Sequence, residues 1–146
     1  MRLHGSCAAL DDDAVLLLGP SGVGKSDMVL RLIDRGFSLV GDDQVEVEAG
    51  RVMGAKPLLG MIELRGIGLF HAEHRESARL RLVVGLAAEP EKDRLPVRLP
   101  APGNDPEFGV PRIEIDPRAA SAAIRVHWAL DAACGRRTQH CGAFAA

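Results

Sequence analysis

Apolar positions fall into short blocks divided by glycine, proline and charge, and their period changes along the chain. "LHGSCAAL" (residues 3–10) reads as a strand and "DDD" (residues 11–13) as the turn after it. "AVLLLG" (residues 14–19) is an apolar run closed by glycine, the pattern of a buried strand. The period then lengthens: Met28, Val29, Leu32 and Ile33 recur at helical spacing, with Gly36 as the C-cap. "FSLVGDD" reads as the next strand, ending in two carboxylates. "QVEVEAGRVMG" alternates Val45 and Val47 with Glu46 and Glu48 before turning at Ala49 and Gly50, which predicts a half-exposed hairpin.

"MIELRGIGLF" alternates too, and "ARLRLVVGLAA" is a further strand. "EPEKDRLPVRLPAPGNDPEFGVP" is rich in proline, glycine and charge and reads as a mobile loop. "RIEID" is a last short strand. Asp116 and Pro117 then fit the N-cap and first position of a helix running to Gly135. A frayed tail, "RRTQHCGAFAA", is expected to follow. Hairpins between the first and last helices imply a mixed sheet rather than a parallel one. The expected architecture is α/β, with one domain over 1–135 and a tail over 136–146.

Composition narrows the function classes. The chain has 146 residues, 47% hydrophobic and 26% charged, as in a globular domain with a real core. A net charge of −2 and 3% aromatic content give no footprint for nucleic acid. No apolar run approaches the roughly 20 residues that span a bilayer. The start lacks a signal peptide's apolar region, and three cysteines without a CxxC pair fit reduced thiols. A cytoplasmic location is expected.

Gly19, Pro20, Ser21, Gly22, Val23, Gly24, Lys25 and Ser26 satisfy G-x-x-x-x-G-K-[ST] between an apolar strand and an amphipathic helix. This P-loop pattern turns backbone N–H groups toward phosphates; its lysine reaches the β- and γ-phosphates and its hydroxyl ligates Mg²⁺. Bound ATP and Mg²⁺ are therefore expected. Asp42 and Asp43 end the following strand, where one carboxylate serves the metal and a second serves as base for a hydroxyl acceptor. The residues alone do not say which is which. His71, Glu73 and His74 have a spacing too sparse for a metal site and read as solvated surface.

P-loop, helix and "VGDD" together resemble the HPr kinase/phosphorylase family, whose fold is related to that of phosphoenolpyruvate carboxykinase. "RLHGSCAAL" is similar to the family's strand beginning His-Gly, and "IELRGIGLF" (residues 62–70) to its signature E-[IV]-R-G-[LI]-G. "KDRL" and "GVPRIEIDPR" resemble two further family segments. The resemblance implies a serine kinase acting on the phosphocarrier protein HPr, with phosphorolytic removal of the same phosphate and an oligomer as further possibilities. It also implies His4 and Arg94 as active-site residues, Glu63 as a magnesium ligand beside Ser26, and Asp43 rather than Asp42 as the base. Arg65 is a candidate for phosphate charge. Relative to longer members, an additional N-terminal domain is expected to be missing, and "HAEHRESA" replaces a longer Gly/Ala-rich stretch. A small-molecule kinase and a nucleotide-sensing module without turnover are the alternative functions.

Overall fold

A computed structural model describes residues 1–87 and 104–140 together with Gly142 and Phe144. Ten strands and two helices follow one another as β1 (Arg2–His4), β2 (Ser6–Leu10), β3 (Asp13–Leu18), α1 (Lys25–Asp34), β4 (Ser38–Gly41), β5 (Gln44–Glu48), β6 (Arg51–Gly54), β7 (Met61–Leu64), β8 (Gly68–His71), β9 (Ser77–Leu86), β10 (Arg112–Ile115) and α2 (Ala122–Ala133). Eight strands make one sheet in the order β1-β5-β6-β9-β3-β2-β4, with β10 added to β9. β9 runs parallel to β3 and β10; the remaining pairs are antiparallel. The expected mixed α/β sheet is present.

Period-2 alternation explains why β3 reads as a continuous apolar run. Val15 and Leu17 face α1 and α2 beside Met28, Leu32, Val126 and Leu130. Ala14 and Leu16 face the other way, against Val40, Val45 and Val52. That second face is closed by the sheet's own curl, which brings β4 onto β5 and β6. A Cβ at Gly41 would stand 2.7 Å from Val45 Cγ1 and 3.0 Å from the Gly54 Cα, so only glycine permits this approach. The crossing sets the position of the residues directly after Gly41.

The hairpin at Ala49 and Gly50 forms as its alternation predicts, with both residues at positive φ (51° and 80°). Elsewhere the fold departs from the sequence reading. "LHGSCAAL" divides at Gly5, since β1 pairs with β5 while β2 pairs with β3 and β4. "MIELRGIGLF" is two strands, a separate β7–β8 ribbon. α2 starts at Ala122, not at Asp116 and Pro117. The Asp116 carboxylate accepts the Arg118 N–H at 2.9 Å, and Arg31 Nη2 donates to the Pro117 carbonyl at 2.8 Å. Those bonds close a turn at residues 116–119, after which the helix begins.

Residues of the tail fold back on the domain. Arg136 bonds Asp131 (2.8 Å) and Asp13 (2.6 Å), Arg137 lies 3.5 Å over the Trp128 ring, and Phe144 packs on the core. The arginine pair thus answers specific carboxylates rather than the helix dipole alone. Of the loop expected to be mobile, residues 89–111, the part up to 103 lies outside the described residues, while residues 104–111 form a hydrogen-bonded turn instead.

The turn before β10 is pinned by Asp105, only 3% exposed. It accepts N–H groups of Glu107 (2.9 Å) and Phe108 (3.0 Å) and Arg112 Nη1 (2.9 Å). Burial alone would raise its pKa, but the Arg112 guanidinium and the two N–H groups hold it below the usual 3.8. Asp105→Ala is expected to cost about 2–4 kcal/mol in chemical denaturation, since three donors lose their acceptor. A depressed carboxyl pKa stabilises above the unfolded value, and that contribution is lost as pH falls through the folded value. Asp105→Asn should accordingly flatten the acid limb of the stability curve below about pH 4.

Candidate active site

Chemistry-bearing groups meet where three connections converge: β1 to β2, β3 to α1, and β4 to β5. Residues 19–24 make the second. Gly24 at φ 113° is the N-cap of α1, a left-handed position that opens the helix's first N–H groups toward the loop. Lys25 is 8% exposed, and its Nζ donates to the carbonyls of Gly19 (2.8 Å) and Pro20 (3.1 Å). An ammonium therefore sits over the loop's own carbonyls, with the exposed Ser21 and Gly22 at the rim.

Ser26, the next residue of α1, donates its hydroxyl to Asp42 Oδ1 at 2.7 Å. Ser6 donates to the same oxygen at 2.9 Å, and its Oγ accepts the Asp43 N–H at 3.1 Å. Asp43 adopts φ 72°, a left-handed conformation that aspartate tolerates better than most residues. Its side chain is 73% exposed, and His4 Nδ1 lies 4.0 Å from Oδ1. The two aspartates thus differ in kind. Asp42 is engaged by two hydroxyls from neighbouring elements, while Asp43 presents its carboxylate to solvent beside an imidazole.

His4, Lys25, Ser26, Asp42 and Asp43 are brought together. Glu63 is exposed on β7 and Arg65 in the β7–β8 turn; among the described residues, no three His, Cys, Asp or Glu side chains are grouped to hold a metal ion. His74 packs its ring where a Cβ at Gly60 would lie, and its Nδ1 is 3.2 Å from the Ala72 carbonyl, a structural placement. Arg94 lies outside the described residues. Cys7 is fully buried, and that burial pushes its thiol pKa up, so it is a core residue without reactivity. Ser6 was missed in the sequence because a serine inside "SCAAL" carries no motif; the one signal is a lone hydroxyl in an apolar strand.

A hard divalent cation suits the donor set here, a serine hydroxyl and carboxylate oxygens without thiolate or a paired imidazole. The glycine-rich loop, the helix N-terminus and Lys25 suit phosphate oxygens.

The family model described as "HPr Serine kinase C-terminal domain" matches residues 1–102. The chain belongs to that family. Among curated members, an HPr kinase/phosphorylase of Bordetella petrii is 39% identical over 111 residues, covering 66% of this chain and 36% of the relative. One from Caldicellulosiruptor bescii is 39% identical over 98 residues, covering 57% and 30%. A Clostridium tetani member is 42% identical over 72 residues, 47% of this chain and 24% of the relative. The chain thus spans about a quarter to a third of these HPr kinase/phosphorylases. The solved Hpr(Ser) kinase/phosphatase from Coxiella burnetii shares the fold, with a TM-score of 0.70 at 24% identity over 88% of this chain and 91% of that one. Among the described residues no helix is long and apolar enough to cross a membrane.

Proposed function

We propose that this chain is an ATP- and Mg²⁺-dependent serine kinase whose acceptor is the phosphocarrier protein HPr, working in the cytoplasm. The observation that carries this reading is the 2.7 Å bond from Ser26 to Asp42, with the solvent-facing Asp43 next in the chain. It ties the glycine-rich loop to Asp42 and so sets the solvent-facing Asp43 carboxylate close by, the pairing that transfer to a hydroxyl needs. The names of the curated relatives supply the acceptor.

The residues divide the work. Backbone N–H groups of residues 19–24 and the Lys25 ammonium hold the triphosphate, and Lys25 exchanges its loop carbonyls for phosphate oxygens. Ser26, with its proton on Asp42, turns its oxygen lone pairs outward as a metal ligand; Glu63 on the β7–β8 ribbon would join it. Mg²⁺, when bound, neutralises charge on the β- and γ-phosphates. Asp43 takes the proton of the acceptor hydroxyl as its oxygen bonds to the γ-phosphorus and the bond to ADP breaks. His4, beside Asp43, orients that carboxylate. In phosphorolysis, Asp43 takes a proton from inorganic phosphate and gives it to the serine oxygen as the serine O–P bond breaks. The phosphoryl group joins phosphate and leaves as pyrophosphate. Arg94 is assigned to phosphate charge on the family pattern alone.

ADP release from MgATP is the test. HPr added in excess should stimulate release, whereas small hydroxyl compounds should not. Stimulation by a metabolite instead would make the chain a small-molecule kinase. Tight MgATP binding with no ADP release under any condition would make it a nucleotide sensor.

A further inference from the structure

We infer that Ser6 is a positioning residue, one buried hydroxyl that fixes Asp42 and Asp43 relative to each other and to the loop. Ser6 is fully buried at the start of β2, among Cys7, Ala8 and Ala9, where an unpartnered hydroxyl would be costly. Its capacity is spent on the aspartate pair: it donates to Asp42 Oδ1 at 2.9 Å and accepts the Asp43 N–H at 3.1 Å.

The neighbouring residues complete a clasp. Gly5 N–H donates to the Asp43 carbonyl at 3.2 Å, and His4 places Nδ1 4.0 Å from the Asp43 carboxylate. Three consecutive residues therefore address the carboxylate, the carbonyl and the amide of one aspartate. That bracket holds Asp43 in its left-handed conformation (φ 72°) without a glycine. On the Asp42 side, Ser6 and Ser26 both donate to Oδ1, so a swing of that oxygen would strip the buried Ser6 hydroxyl of its acceptor. The lone pairs of Ser26 consequently keep one direction. The functional half of this inference rests on the kinase reading; the clasp itself does not.

Ser6→Ala removes the hydroxyl at little change in volume, and Ser6→Thr keeps it. Circular dichroism establishes that each variant is folded. In the nucleotide-free protein, amide exchange at Asp43 is expected to quicken at least about tenfold in Ser6→Ala and to recover in Ser6→Thr. ATP affinity without Mg²⁺ should stay within about twofold, while its enhancement by Mg²⁺ should fall at least about threefold. Ser6→Cys, which fills the site with a weak donor, should follow Ser6→Ala and replaces it if that variant does not fold. Unchanged Asp43 exchange, or an unchanged Mg²⁺ enhancement, overturns the inference and leaves the kinase reading standing. An unaltered chain whose ATP binding does not respond to Mg²⁺ overturns both.

Discussion

Asp43→Asn is expected to slow phosphoryl transfer to HPr about a thousandfold while the affinity for MgATP stays within about threefold. Asparagine is the informative replacement because it tolerates the left-handed conformation that Asp43 holds at φ 72°. The turn after Gly41 should therefore survive, and with it the Ser6 and Gly5 bonds to the backbone of residue 43. An amide cannot take the acceptor's proton. The loss should thus appear in kcat and not in nucleotide binding, as befits an interaction made only in the transition state. Asp42→Asn should behave differently, weakening the Mg²⁺ enhancement of ATP binding because the partner of Ser26 is altered. Single-turnover transfer and a nucleotide titration separate the two. Transfer by Asp43→Asn above about a tenth of the normal rate would move the proton to another group, with His4 nearest.

Lys25→Ala is expected to weaken MgATP binding about a hundredfold, read by calorimetric titration. Lys25 is a buried residue whose ammonium donates to the carbonyls of Gly19 and Pro20, so it lies ready beside the loop. Charged hydrogen bonds of this kind are worth about 1.5–3 kcal/mol each. Lys25→Arg keeps the charge but replaces a point donor with a planar fork, and it should recover only part of the affinity. Binding by Lys25→Ala equal to that of the unaltered chain would contradict the assignment of residues 19–26 to phosphate.

Much of this was legible because it is local. A consensus phosphate loop between an apolar run and an amphipathic helix, and valines alternating with glutamates before Ala49 and Gly50, declare their geometry within a few residues. The start of α2 was not legible because the side-chain bond between Asp116 and the Arg118 N–H serves a turn as well as a helix N-cap, and the same residues read alike in both. The split at Gly5 likewise follows from β1 and β2 finding different partners across the sheet. In the site, the sequence presents Asp42 and Asp43 as equivalent neighbours. Their difference arises because Ser6 and Ser26 both donate their hydroxyls to the Asp42 carboxylate, while the Asp43 carboxylate faces solvent beside His4. Glu63 is singled out only by its family signature, and the fold places it exposed on β7 in a separate ribbon.

The most direct test of the account is to map the phosphate itself. HPr incubated with this chain, Mg²⁺ and labelled ATP should carry label on a serine, identified by fragmentation mass spectrometry, and Asp43→Asn should label it about a thousandfold more slowly. HPr that stays unlabelled, from a chain that binds MgATP, would contradict the claim that this site delivers phosphate to a protein serine.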